Sequence, residues 1–168
     1  MLHVCSLSRL NETVTKVGAG HLVTLINADA DVPTPDCILP ERHLFLGLND
    51  IAIPIDGLVP PAEAHVHQLL DFAGTWNRKS PMVVHCWAGI SRSTAGAYIT
   101  ACALNPDWNE RELAQELRRR APSATPNGRL VAMADKILAR QGRMIEAIRE
   151  IGRGATAFEG TPFEMPIS

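Results

Sequence analysis

Little in this 168-residue sequence points to a membrane, a secretory route or a nucleic acid. No apolar run reaches the ~18 residues that a membrane-spanning helix needs. The start, Met1-Leu2-His3-Val4-Cys5, lacks the basic region and apolar stretch of a secretory signal. Lys and Arg number 16 against 18 Asp and Glu, a net charge of −2. That balance disfavours general binding to nucleic acid or to an anionic membrane. An anionic ligand must therefore be recognised by a local cluster. Cysteine is scarce: Cys5, Cys37, Cys86 and Cys102 show no CxxC spacing and no dense framework. Reduced thiols and a cytoplasmic setting follow as expectations. His65 and His67 are two apart, so they do not share a helix face, and no metal site is expected from them. There is no internal repeat and no low-complexity linker.

What is present reads as one soluble domain. The length suits a single unit, and 46% hydrophobic with 20% charged residues is a globular balance. Leu10–Val17 reads as a short helix closed by Gly18 and Gly20. His21–Asn27 reads as a buried strand, and His43–Leu48 as a second. Between them, Pro33 and Pro35 mark a loop. Pro60 and Pro61 open a helix whose Val66, Leu69, Leu70 and Ala73 recur at helical spacing. Met82–His85 is a short apolar strand. Ser93–Leu104 is apolar nearly all round, the mark of a buried helix. Asn109 with Glu112 resembles a capping box. Thr125-Pro126 has the form of a cap followed by proline at the first helical position. Gly142 is expected to kink or divide the helical pattern that follows. Strands interleaved with helices predict an α/β domain with helices on both faces of its sheet. The expected boundaries are a domain over 1–152 and a Gly/Pro-containing tail over 153–168, to which the sequence assigns no role.

The stretch from His85 to Ser93, HCWAGISRS, carries the chemistry. A cysteine ends a buried strand, seven residues turn tightly through Gly89, and a helix begins. Backbone N–H groups of Trp87, Ala88, Gly89, Ile90 and Ser91 can converge into a nest, and the helix N-terminus adds positive partial charge. Both favour a dianionic phosphoryl group at the centre, and both favour thiolate at Cys86. Arg92 can close the turn and bind two phosphate oxygens with its planar fork. Ser93 can donate a hydroxyl to the sulfur. His85 is expected to point inward and brace the loop. Such a loop should hold phosphate or sulfate.

This HC-x5-R-S stretch resembles the signature of the protein tyrosine phosphatase superfamily, and the surrounding chain is similar to its dual-specificity branch. The resemblance runs from about Val23 to Leu138. It implies a central mixed sheet flanked by helices and a phosphatase domain that hydrolyses phosphate monoesters through a cysteinyl-phosphate intermediate, with no metal and no cofactor. It implies Cys86 as nucleophile, Arg92 as phosphate ligand, Ser93 as stabiliser of the leaving thiolate and His85 as support. Pro126-Asn127 resembles the family's Pro-Asn segment, whose Asn braces the phosphate loop. The family takes its general acid from an Asp some thirty residues before the cysteine. Asp50 and Asp56 are the candidates, and Asp50 is preferred because it directly follows a strand. The motif with which tyrosine-specific members grip the phosphotyrosine ring is absent, so a shallower site is expected. The variable loop positions hold no Lys or Arg, which disfavours polyphosphorylated inositols. The implied partner is a phosphorylated protein or peptide. Two rivals stand beside this: a phosphoprotein-binding module of the same fold with weak catalysis, and a rhodanese-type sulfurtransferase. The latter's loop is usually a residue shorter and lacks Ser after Arg.

Overall fold

The computed structural model describes residues 1–167. Eleven main elements follow one another: β1 (Leu2–Ser6), α1 (Leu10–Val17), β2 (His21–Ile26), β3 (His43–Gly47), α2 (Glu63–Thr75), β4 (Met82–Cys86), α3 (Arg92–Leu104), α4 (Glu110–Arg120), α5 (Gly128–Ile137), α6 (Arg143–Ile151) and β5 (Phe163–Met165). The sheet order is β3-β2-β4-β1-β5. The first four strands in that order run parallel, and β5 pairs antiparallel with β1. The sheet is therefore mixed, as the family resemblance implies.

Alternation along the strands sorts the two faces. Cys5, Leu22 and Val83 pack with Leu10 and Val14 of α1 on one side. Leu2, Val4, Val23, Leu25, Met82 and Val84 face the other side, where α2 to α6 gather. Every residue of β2 and β4 is buried. Helix α3 lies flat on the sheet because its facing residues are small. A Cβ at Gly96 would come within 3.2 Å of Leu25 and 3.3 Å of Val84, so the backbone is already at contact. Burial of α3 continues from Arg92 to Cys102.

Two segments departed from their expected reading. The start of the chain carries no strand signal strong enough to read, yet β1 sits between β4 and β5 with Leu2 and Val4 fully buried. The segment set apart as a tail supplies β5, and Met165 is buried against the main core. At Thr125-Pro126 the expected cap is displaced. Asn127 caps α5, its Oδ1 accepting from the N–H groups of Arg129 and Leu130 at 3.1 Å each. Thr125 is drawn elsewhere, its N–H donating to the Ile90 carbonyl at 2.9 Å. Elsewhere Asn109 caps α4 by accepting from the N–H groups of Arg111 and Glu112, the first half of the expected capping box, and Gly142 divides α5 from α6 at φ +85°.

Candidate active site

Strand β4 delivers Cys86 to the C-terminal edge of the sheet, between β1 and β2, where open α/β folds place ligands. The seven residues from Cys86 to Arg92 turn there into α3. The loop is held open by what its carbonyls do. Those of Trp87 and Ala88 accept from Leu7 (3.1 Å) and Gly160 (2.8 Å). Those of Ile90 and Ser91 accept from Thr125 (2.9 Å) and Asn127 (3.3 Å). Each carbonyl is engaged outside the loop. In a planar trans peptide the following N–H points the opposite way, and the chain has no cis bond. The N–H groups of Ala88, Gly89, Ser91 and Arg92 are thus turned inward. Gly89 confirms the sense, its N–H donating to the Cys86 sulfur at 3.3 Å. Only glycine serves at this point. Its φ is +71°, and a Cβ would press to 2.9 Å of the Cys5 and Ser6 backbone.

Cys86 is buried, with Ser93 Oγ 3.1 Å from its sulfur. Arg92 reaches back beneath the loop. Its Nη1 donates to Asn27 Oδ1 at 2.7 Å and to the Leu48 carbonyl at 2.8 Å. The residue is 7% exposed, yet its Nε–H has no partner. One edge of the guanidinium is pinned to the protein and a buried donor is left for something else. An unmet buried donor is costly, of the order of 1–3 kcal/mol. An oxyanion seated on the inward N–H groups would meet it.

His85 lies on the opposite face of β4 and anchors the cysteine's own peptide, with Nδ1 3.3 Å from the Cys86 carbonyl. Its Nε2 is 2.7 Å from Thr24 Oγ1, which is 2.8 Å from His43 Nε2. His43 Nδ1 is 2.7 Å from Thr34 Oγ1. Burial pushes the His85 pKa down to about 4, so the ring is neutral near pH 7. A neutral ring that donates from Nδ1 must accept at Nε2. Thr24 then donates to His85 and accepts from His43, whose Nδ1 accepts from Thr34. Every proton in the chain has one place, running from the Thr34 loop to the cysteine peptide.

Asp50 is exposed at the loop's rim. Its Oδ1 accepts from Ser91 Oγ at 2.7 Å and from Asn127 Nδ2 at 2.9 Å. The segment bearing it is cinched by Asn49, whose N–H donates to the Val59 carbonyl at 2.7 Å and whose Oδ1 accepts from Val59 N–H at 2.9 Å. Asp56 is exposed farther along, in a turn closed by Leu58 N–H on the Ile55 carbonyl. Cys86, Arg92, Ser93, His85, Asn127 and Asp50 are thus joined by direct contacts or through the loop. Asn127 holds the loop with its backbone N–H and Asp50 with its side chain. Sequence reading missed Asn27, Thr24, His43 and the Glu159-Gly160 segment, which lie far from the signature and carry no motif. Cys5 and Cys102 are pushed up to about 12 by burial, and Cys37 is exposed. Among the described residues no group of His, Cys, Asp or Glu is arranged to hold a metal, and no helix is long and apolar enough to cross a membrane.

No family model matches the chain, and no curated protein matches it in sequence. Solved structures do. DUSP15 is 16% identical with a TM-score of 0.65, covering 89% of each chain. A mouse protein of dual specificity phosphatase type, complexed with zinc tungstate, is 17% identical with a TM-score of 0.64, covering 88% of this chain and 86% of its own. The human tyrosine phosphatase-like serine/threonine/tyrosine-interacting protein is 19% identical with a TM-score of 0.64, covering 83% and 92%. The five-stranded mixed sheet, with a loop between β4 and α3, has the fold of the dual-specificity branch of the protein tyrosine phosphatase superfamily.

Proposed function

We propose that the chain is a cysteine-dependent phosphatase acting on phosphotyrosine-type monoesters in proteins or peptides, with dual specificity included. The observation that carries this reading is Arg92: buried, pinned through Nη1, and holding an unpaired buried Nε–H at the end of a loop whose peptide N–H groups turn inward. That arrangement suits a tetrahedral oxyanion, and the mouse relative holds tungstate.

In the first step the Cys86 thiolate attacks phosphorus and the P–O bond to the leaving oxygen breaks. Asp50 gives that oxygen its proton, leaving a phosphocysteine. In the second step water attacks phosphorus while the Asp50 carboxylate takes its proton. The P–S bond breaks, phosphate leaves, and the thiolate returns toward Ser93, 3.1 Å away. Arg92 and the inward N–H groups bind the equatorial oxygens in both steps, where the charge is spread.

A phosphoprotein-binding module with weak turnover is the second reading, favoured by one relative whose name describes an interacting, phosphatase-like protein. The test separates the two. Wild-type protein is expected to hydrolyse an aryl phosphate, and Cys86→Ser to abolish turnover while still binding phosphate or tungstate. A wild type that binds oxyanions but hydrolyses nothing would leave the binding module standing. Full turnover in Cys86→Ser would overturn the mechanism.

A further inference from the structure

Beside the phosphate loop lies a groove lined by Leu7, Ser8, Trp87, Ala88, Phe158 and Glu159. Two of these residues, Trp87 and Ala88, also belong to the loop, so the groove borders it. Its far wall comes from the end of the chain and is firmly fixed. Gly160 donates to the Ala88 carbonyl at 2.8 Å, and a Cβ there would press to 2.6 Å of the Gly89 carbonyl oxygen. The Glu159 carboxylate accepts from the hydroxyls of Ser6 and Ser8. These contacts hold the segment down, yet Phe158 stands 97% exposed across from Trp87 at 62%. Two large aromatic rings presented to water, on anchored backbone and beside a reactive loop, mark a binding surface.

We infer that this groove is a subsite for a phosphopeptide, taking an apolar side chain adjacent to the phosphorylated residue between Trp87 and Phe158. The inference rests on the phosphatase reading for the position of the phosphoryl group. The walls supplied by Leu7, Trp87, Ala88 and Phe158 are apolar, which selects an aromatic or branched aliphatic side chain. The charge at the groove is that of Glu159, and the chain carries a net charge of −2. Both repel acidic neighbours and an anionic lipid surface. A peptide with an apolar residue beside the phosphoresidue fits; an acidic one does not.

The test uses the full chain carrying Cys86→Ser as a binding trap. Phosphotyrosine peptides are compared with Phe, Leu, Gly or Asp placed in turn at each of the two positions flanking the phosphoresidue. At one position, Phe or Leu is expected to bind about tenfold more tightly than Gly or Asp, the effect of burying one apolar side chain. Adding Phe158→Ser should erase that preference. Phe158 is exposed, so the substitution spares the core, and Phe158→Ser alone should leave turnover of a small aryl phosphate unchanged. Equal affinity across the series, or a preference that survives Phe158→Ser, overturns the subsite. Vesicles of phosphatidylserine and phosphatidylcholine that bind through Phe158, or a dimer that Phe158→Ser dissolves with no change in peptide preference, would assign the groove to another occupant and overturn it too. A wild type that does not turn over aryl phosphate would defeat the phosphatase reading alone, since the trap reports peptide binding without catalysis.

Discussion

Asp50 and Asp56 are six residues apart, equally charged and both exposed, and chemistry separates them only through their neighbours. Asp50 is positioned by Ser91 of the loop and by Asn127. A carboxyl so placed can present its other oxygen to a leaving group, and a positioned acid contributes about 10²–10⁴-fold. Asp50→Asn is therefore expected to lower turnover of a phosphotyrosine peptide by about 10²-fold or more. The loss should shrink with a good leaving group that needs no proton. Asp56→Asn should leave both rates near wild type. Steady-state rates on the two substrates decide it, and the reverse pattern would move the acid to Asp56. The signature residues were legible in sequence because the Cys86–Arg92 loop is local: a strand end, a glycine and an arginine within nine residues dictate one another's positions. Asn27, Thr24 and His43 were not, since the pairing of β2 with β3 and β4 brings them to the loop from distant sequence. Nothing in their own neighbourhoods marks them.

Helices were easier to read than the contacts that lock them together. Spacing and caps located α1, α4 and α6 closely, because their apolar stripes and terminal residues are features of single segments. The strands β1 and β5 escaped, being short and stabilised by each other and by β4. Among the helices the main lock is a buried ion pair that no sequence pattern announces. Arg140 Nη1 donates to Glu110 at 2.8 Å, with side-chain exposures of 8% and 5%. Arg140 Nη2 also donates to the Cys102 carbonyl at 2.6 Å, and Arg143 joins Glu110 at 3.1 Å. One carboxylate so gathers the end of α3, the start of α4 and the link into α6. Removing one partner strands a buried charge, so Glu110→Ala should cost about 3–5 kcal/mol. Glu150→Ala breaks the exposed pair with Arg111 and should cost under about 1 kcal/mol. Urea unfolding midpoints compare them, and equal shifts would refute the special standing of Glu110.

For the molecule as a whole, acid should be damaging well before the carboxylates titrate. The His85 pKa falls from 6.5 to about 4 on folding through burial. Between those values the unfolded chain binds a proton that the native one refuses. The contribution is complete above about pH 6.5 and is lost as pH falls toward 4, about 3 kcal/mol from this group. His3, His21, His43 and His65 are lowered by burial as well and act with the same sign. The melting temperature should fall steadily from about pH 7 to about pH 4.5. His85→Gln should flatten that dependence. A melting temperature indifferent to acidification would contradict it. The pairing of the first strand with the last has a consequence for how the protein is made. A ribosome produces Cys86 to Arg92 about midway through the chain, long before Gly160 and β5. Through that interval the Ala88 carbonyl lacks its closing donor and β1 lacks its outer neighbour. The nascent chain therefore carries the Cys86–Arg92 loop incompletely braced until its last strand is made.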